Sequence, residues 1–565
     1  MKKINIKIVS NINLGILTIL YLGILEYVIN VDIRLKTISF ILFLIIIQKL
    51  RNKKNINFEK ISKLNNRVNY LFIFLITIVF QNALLNYEVI SIDVPSYLVA
   101  SQVVNLEILP YEVQWESKGP LFMYLYKLVI VLASSNYLYF RLLNDVILFF
   151  ITILIYKIIF LKSKNSFSAL NGSILFLLIT SYEWYVSEYS EIYCLIFILY
   201  QYFYLKKNGL SSKSIIISSL LISFSSLINQ GTAIFMAALG FVIILNYKKK
   251  SIKKIFYAGI SFLIPHLLFY LVYFVNDVGI LYITNYFFIP LNYVDSGNFR
   301  FYELVVWLKR YFLYFENLYY LIISIPFFII INNLNKKIIY SKDFMADIIY
   351  LCVSFSFYFI AGHNYQHHLF YLIAFIAIFT SHIANLSNKS LFSLLIFICT
   401  FQVIINLLPS SFNNLKSLEE TYENYPLYSL SQEIEKYYPE KNYSVLAVDK
   451  VLTLFYLEKQ NISYIVHPFN HYETYIVDSL IQTQKLQTNN NSHLSFSIEQ
   501  EPDVVICLPS QIISGNPTAS DIFNCEVTDY KKNYQKLDTQ IYNDNLNKEY
   551  YLDPYAKMRV YIKDS

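Results

Sequence analysis

Apolar runs of about 14 to 22 residues recur along most of the chain up to residue 408, and they decide what it can fold into. Runs of that length are membrane-span candidates, because roughly 20 helical residues cross the hydrocarbon core of a bilayer. Composition agrees. Hydrophobic residues make up 56% of the 565 and charged residues only 15%, whereas an average soluble domain carries about 25% charged residues. Disorder, a collagen-like fibre and a disulfide scaffold are excluded on the same grounds. The net charge of +7 is not gathered into a basic domain, which excludes a nucleic-acid binder.

The charge divides the chain near Pro409. Residues 409–565 hold 13 Lys+Arg against 21 Asp+Glu, and residues 1–408 hold 33 against 18. The expectation is a polytopic α-helical membrane domain over 1–408 and a soluble extracytoplasmic α/β domain over 409–565. Spans are expected at 12–30, 37–50, 68–87, 138–161, 168–182, 190–205, 214–230, 232–247, 254–275, 317–333, 345–361, 368–385 and 390–408. The start, Met1-Lys2-Lys3, resembles a secretory signal, but no small-residue cleavage site follows, so 12–30 reads as a retained span. Basic residues set the orientation. Lys49 to Arg67, Lys162 and Lys164, Lys206 to Lys213, Lys248 to Lys254, Lys336 to Lys342, and Lys389 mark inner loops. An inner amino terminus and 13 spans then leave the C-terminal domain outside a cell membrane.

Two outer loops are long, 88–137 and 276–316. The first carries Glu88, Asp93, Glu107, Glu112 and Glu116 against Lys118 alone in its 88–118 part. It contains two helical patterns, Ser96 to Leu106 and Pro120 to Ala133, the second opened by a proline suited to a first helical turn. In the C-terminal domain, Tyr443 to Val448, Ser463 to Val466 and Val504 to Leu508 read as buried strands. Val451 to Lys459 and Tyr472 to Leu486 read as helices, which suggests a small open α/β sheet.

Glycine is informative by its scarcity. There are 12, and after Gly362 only Gly515. No clustered glycines form a dinucleotide or phosphate cradle, so the outer domain is not expected to bind nucleotides. The cysteines show no metal-ligand spacing. Cys507 and Cys525 read as buried free thiols, with a disulfide as the alternative in an oxidising compartment.

The strongest constellation is Asp93-Val94-Pro95-Ser96-Tyr97, then Pro110-Tyr111, then Trp115-Glu116-Ser117-Lys118-Gly119-Pro120. At a water–lipid boundary it offers a carboxylate base, an ammonium for a phosphate, and aromatic walls. The same residues also read as an interfacial belt, where Trp and Tyr concentrate. Residue type alone leaves both readings open.

This stretch resembles the first extracytoplasmic loop of the C-type (GT-C fold) glycosyltransferases, such as the bacterial protein O-mannosyltransferases and the lipid A aminoarabinose transferases. Asp93, Tyr97, Pro110-Tyr111 and Trp115 to Lys118 match the family pattern, with Gly119 where its first proline is usual. Gly362-His363-Asn364-Tyr365-Gln366-His367-His368 is similar to the family's Gly-Arg-x-Tyr-x-His-Tyr, with His363 in place of the arginine and His368 in place of the final tyrosine. Ser187 to Tyr193, with Glu188 and Glu191, and Asn229-Gln230 fall where the family places pocket residues.

The resemblance implies a membrane glycosyltransferase that moves a sugar from a polyprenyl-phosphate donor to an extracytoplasmic lipid, glycan or protein acceptor, with inversion. Nucleotide sugars are cytoplasmic, so an outward-facing enzyme needs a lipid-carried donor. Asp93 is the expected base, and Lys118 and His363 are the expected partners of the donor phosphate. Tyr97, Tyr111, Trp115, Glu116, Glu188, Glu191, Gln230, Tyr365, His367 and His368 are the expected pocket. No cofactor is assigned, and a divalent metal stays open, because some proteins of this fold class use one. His367 and His368 read more readily as interfacial hydrogen-bonders than as metal ligands. Arg141 and Asp145, four apart, read as a structural pair, and Glu188 and Glu191, three apart, as neighbours on one helix face. Glu26 is an acid within the first span. The alternatives are a transporter or flippase, or a ligase, for lipid-linked glycans. Polar residues gathered in outer loops rather than at a midplane favour the enzyme.

Overall fold

The computed structural model describes residues 66–181, 186–247, 251–296, 325–326, 329–330, 341–360, 366–385, 389–488, 493–507, 534–540, 542 and 558–563. The expected spans 12–30 and 37–50, Glu26 and most of 317–333 lie outside them. The chain is mostly helical and ends in a small sheet.

Local chemistry sets the helix bounds. The helices α1 (Asn66–Asn82), α2 (Asp93–Gln102) and α3 (Pro120–Leu132) are followed by α4 (Tyr137–Ser163). In α4 the Asn136 side chain caps the first turn by accepting from the Tyr139 N–H, and Lys164 closes the last at φ 55°. Next come α5 (Ser166–Ile179), α6 (Ser190–Asn208), α7 (Ser212–Ser226), α8 (Phe235–Tyr247) and α9 (Ser251–Val275). Asn165 caps α5 and Ser211 caps α7 in the same way. Short helices Gly279–Ile283 and Ile289–Ser296 come next, then α10 (Lys342–Ile360), α11 (Phe370–Phe379) and α12 (Lys389–Lys416).

Among the described residues, three helices are long and apolar enough to cross a membrane: Tyr137–Ser163, Gln230–Tyr247 and Ser251–Val275. Pro120–Leu132, Ser166–Ile179, Ser212–Ser226 and His367–Ile383 are shorter apolar helices. The 27 residues of α4 rise about 40 Å at 1.5 Å each, more than the roughly 30 Å hydrocarbon core. Leu148, Ile151, Ile155 and Ile158 of α4 are buried, while Phe150 points outward. In α9 the exposed residues include Leu263, Leu267, Leu268, Leu271 and Phe274. A contiguous apolar outer face of this kind marks a membrane or partner contact.

The Asn69 amide donates to the Tyr156 hydroxyl at 3.0 Å, tying α1 to α4. At their far ends, α4, α6 and α10 are joined by ion pairs of Lys162 with Asp347 and of Lys206 with Asp343 and Asp347. His382 also reaches Asp347, at 2.6 Å.

The charge boundary near Pro409 lies inside the continuous helix α12. Beyond it, α13 (Pro426–Tyr437) is capped from the segment between α1 and α2: the Glu88 carboxylate accepts from the Leu427 and Tyr428 N–H groups at 2.8 and 3.0 Å. Strands β1 (Val445–Ala447), β2 (Val504–Cys507), β3 (Tyr534–Lys536) and β4 (Arg559–Lys563) form one sheet in the order β1-β2-β4-β3. The β1–β2 pair is parallel; β2–β4 and β3–β4 are antiparallel.

Several expectations need correction here. Residues 463–466 are not a sheet strand; Ile465 instead bridges Trp115, in the loop between α2 and α3. The first outer-loop helix starts at Asp93 rather than Ser96 and ends at Gln102. Leu452–Tyr456 and Thr474–Gln482 are shorter than the helices expected over 451–459 and 472–486. Cys507 is disulfide-bonded rather than a free thiol; Cys525 lies outside the described residues.

Candidate active site

The site is assembled by the loop between α2 and α3. Pro120 opens α3 at its first turn, and Gly119 precedes it with φ −68° and ψ 159°. The Gly119 N–H donates to the Ile228 carbonyl at 2.8 Å, just past α7. A Cβ on Gly119 would lie 2.1 Å from the Leu227 carbonyl oxygen. A proline there would lose that N–H and collide with this backbone.

Upstream, Tyr111 takes a positive φ of 70° and is buried. Its hydroxyl donates to the Lys118 carbonyl at 2.5 Å, and its own carbonyl accepts from the Tyr464 hydroxyl. Trp115 is fully buried; its backbone N–H donates to the Tyr464 carbonyl at 2.7 Å. The Gln230 amide donates to the Ser117 carbonyl at 3.2 Å. The turn that presents Glu116 and Lys118 is thus tied to the C-terminal domain on one side and to the end of α7 on the other.

Asp93 stands in the first turn of α2, where the helix dipole favours an anion. Its Oδ1 is 2.8 Å from His467 Nε2, and 24% of its side chain stays exposed. Burial alone would raise the Asp93 carboxyl. The hydrogen bond and charge of His467, with the charges of His367 and Lys118, outweigh it and hold the carboxyl below the usual carboxylate range. His467 answers in the opposite sense. Burial would lower it, but the Asp93 bond and the charges of Asp93 and Glu116 raise it.

Lys118 lies over the Tyr97 ring, 5.5 Å from its centroid, and makes no ion pair among the described residues. Glu116 is buried. Its Oε1 accepts from the Ser117 N–H and hydroxyl at 2.7 and 2.8 Å, while Oε2 has no hydrogen-bond partner among the described residues. Burial raises the Glu116 carboxyl against the pull of His467, Lys118 and Ser117.

A second group comes from α6 and the segment before α11. Glu191 is buried and accepts from Asn229 Nδ2 at 3.1 Å and from Ser190 Oγ at 3.0 Å. His368 Nε2 is 4.0 Å from Glu191 Oε1, and His367 stacks on Tyr189 at 4.4 Å. One ligand atom each from Glu191, His367 and His368 lies within 4.8 Å of the others, so these residues could hold a divalent cation. The Asn229 and Ser190 bonds fit that use, because ligating carboxylates are themselves hydrogen-bonded. Both histidines are buried, and His368 faces Glu191.

Glu188 belongs to a different setting. It precedes α6, so it shares no helix face with Glu191. Its Oε1 pairs with Arg141 at 3.0 Å, whereas Asp145 accepts from Ser187 Oγ at 2.8 Å. The expected Arg141–Asp145 pair is therefore replaced by Arg141–Glu188. His363 and Tyr365 lie outside the described residues.

The structure thus brings Asp93, Tyr97, Glu116 and Lys118 together with His367, His368 and Glu191, as their mutual charge effects show. His467 is the residue that the sequence reading missed. The available signal was an extended run, Ser463 to Val466, ending in His467-Pro468, since strand carboxyl ends are where α/β domains present ligand-binding groups.

No family model and no curated protein matches the chain. Among solved structures, it is similar to the Archaeoglobus fulgidus oligosaccharyltransferase in the apo form, at 12% identity and a TM-score of 0.45, covering 79% of this chain and 70% of that one. It is similar to the archaeal oligosaccharyltransferase AglB from the same organism in complex with an inhibitory peptide and a dolichol-phosphate, at 10% identity and a TM-score of 0.45, covering 77% and 69%. It is also similar to ArnT from Cupriavidus metallidurans in the apo state, at 10% identity and a TM-score of 0.38, covering 78% and 93%. Oligosaccharyltransferase AglB and ArnT are both GT-C fold glycosyltransferases.

Proposed function

We propose that this chain is a membrane glycosyltransferase of the C-type class that moves a sugar from a polyprenyl-phosphate donor to a hydroxyl acceptor outside the membrane. The observation that carries this reading is a partly exposed Asp93 carboxylate, bonded to His467 and within the field of Lys118, an ammonium that lies over Tyr97 and makes no ion pair among the described residues.

The acceptor hydroxyl gives its proton to Asp93 as its oxygen attacks the anomeric carbon. The bond from that carbon to the phosphate oxygen breaks, and the electron pair leaves with the lipid phosphate. Lys118 meets the charge that develops there. Attack from the face opposite the leaving phosphate inverts the anomeric centre. Both groups flank one loop fastened at both ends, which favours a fixed register for in-line attack. Glu116, Tyr97, Tyr111, Trp115 and Gln230 wall the pocket; the roles expected of His363 at the phosphate and of Tyr365 in the pocket fall on residues outside the described ones. Glu191, His367 and His368 would hold a divalent cation, which when bound supplies Lewis-acid support at the phosphate. Glu188 serves the pocket from behind through Arg141.

The topology that goes with this reading has about 13 spans, an inner amino terminus and the domain of residues 409–565 outside. A flippase reading finds less support. The buried Lys162–Asp347 pair is already engaged by Lys206, Tyr202 and His382, leaving little to bind cargo. Mass spectrometry of cell-surface glycans with and without the gene tests the proposal. A missing sugar in the deletion, restored by wild-type protein but not by Asp93→Asn, is the expected result. Unchanged glycans would overturn it.

A further inference from the structure

Resting on that reading, we propose that His467 is a positioning residue that fixes the Asp93 carboxylate, so that the C-terminal domain is part of the catalytic unit. The argument starts at the sheet. Asn461 is buried against β1: its Oδ1 accepts from the Ala447 N–H at 3.0 Å and its Nδ2 donates to the Ala447 carbonyl at 2.8 Å. From there it reaches the outer loop. Its N–H donates to Gln114 Oε1 at 3.1 Å, and Gln114 Nε2 donates to the carbonyls of Asn461 and Ser463 at 3.0 and 3.3 Å. Trp115 and Ile465 then form a parallel bridge. Two polar side chains and a backbone bridge thus set the register of 461–467 against the loop that carries Glu116 and Lys118. Buried bonds of this kind are costly to leave unmade, so the register is specific.

The segment ends at His467 in an extended conformation, with Pro468 opening a 3-10 turn, Pro468–His471. The Phe469 N–H donates to His467 Nδ1 at 3.3 Å, which orients the ring and directs Nε2 at Asp93 Oδ1, 2.8 Å away. Both ring nitrogens are therefore in use. His467 has no free lone pair with which to take the acceptor proton, so it acts through Asp93 rather than in its place. Asp93 keeps Oδ2 without a hydrogen bond among the described residues, and that oxygen remains for the acceptor hydroxyl. The Asp93 N–H bond to Ser91 Oγ, at 3.2 Å, fixes the backbone from the other side. A carboxylate pinned through one oxygen loses its rotational freedom, and a misplacement of about 1 Å at such a group can cost 10²-fold in rate.

The test uses full-length protein in detergent, a synthetic polyprenyl-phosphate sugar, and separate measurement of donor affinity and turnover. His467→Ala should lower kcat by about 10- to 100-fold with donor Kd unchanged. His467→Gln should recover most of the loss, since its amide N–H reaches a similar position. In the Asp93→Asn background, His467→Ala should add no further loss, because the two residues act as one unit. If wild-type protein transfers sugar and His467→Ala stays within twofold of it, the positioning role is overturned and the transferase reading stands. If Gln is no better than Ala, or if the losses multiply in the double variant, His467 is only a fold contact and the proposal is likewise overturned. Wild-type protein that transfers no sugar from any polyprenyl-phosphate donor overturns the transferase reading itself.

Discussion

The Gly119 N–H meets the Ile228 carbonyl at 2.8 Å, with the Leu227 carbonyl where a side chain would begin. This contact seats the Trp115–Lys118 turn on the end of α7. Gly119→Ala forces a Cβ to within 2.1 Å of the Leu227 oxygen, an overpacking of the kind that costs about 1–3 kcal/mol. Gly119→Pro adds the loss of one hydrogen bond, about 1 kcal/mol. Both variants should unfold at lower temperature than wild type, proline at the lowest. Equal midpoints for all three in a detergent thermal-shift measurement would show that the turn is not seated there.

Lys118 should matter for binding as well as rate, because the donor phosphate is anionic before the reaction starts. A hydrogen bond to a charged group contributes about 1.5–3 kcal/mol, so Lys118→Ala should raise donor Kd by roughly 10- to 100-fold and slow turnover too. Lys118→Arg should recover part of both, since a planar guanidinium does not replace a compact ammonium. Donor titration by tryptophan fluorescence or calorimetry checks this. An unchanged Kd in Lys118→Ala would remove Lys118 from the phosphate.

Much of the fold is legible in the sequence, and the reasons are local. The apolar runs 138–161, 190–205 and 254–275 lie within the helices Tyr137–Ser163, Ser190–Asn208 and Ser251–Val275. A helix is specified by its own periodicity and caps, so its bounds can be read from nearby residues. What fails is pairing at long range. The four-residue spacing of Arg141 and Asp145 suggested a partnership, yet a carboxylate 47 positions away takes the Arg141 Nε–H instead. The extended character of 463–466 was readable, but its partner is Trp115, more than three hundred residues earlier, rather than a sheet strand. Asp93 was legible as a loop carboxylate, whereas His467 stands 374 positions away and no local pattern links the two. Glu191, His367 and His368 were each named from the sequence; their convergence required the tertiary structure.

The proposed orientation rests on the charge bias of the sequence: the basic loops are expected inside and the acidic residues 409–565 outside. Asn57→Cys in the first basic loop and Ser492→Cys in the C-terminal domain probe it, in a background whose native free thiols are replaced. A membrane-impermeant maleimide applied to intact cells should label Ser492→Cys and leave Asn57→Cys unlabelled until the membrane is opened. Labelling of Asn57→Cys in intact cells would reverse the orientation and put Asp93 on the side where no acceptor awaits.

The most direct measurement of the central claim is sugar transfer by purified protein from a synthetic polyprenyl-phosphate sugar, with wild type and Asp93→Asn compared side by side. Asparagine keeps the shape of the side chain but cannot take a proton. Turnover should therefore fall about 10²-fold or more, while donor Kd stays within a few-fold of wild type. Folded Asp93→Asn protein that transfers sugar at the wild-type rate would contradict the account, because the carboxylate beside Lys118 would then not be the base.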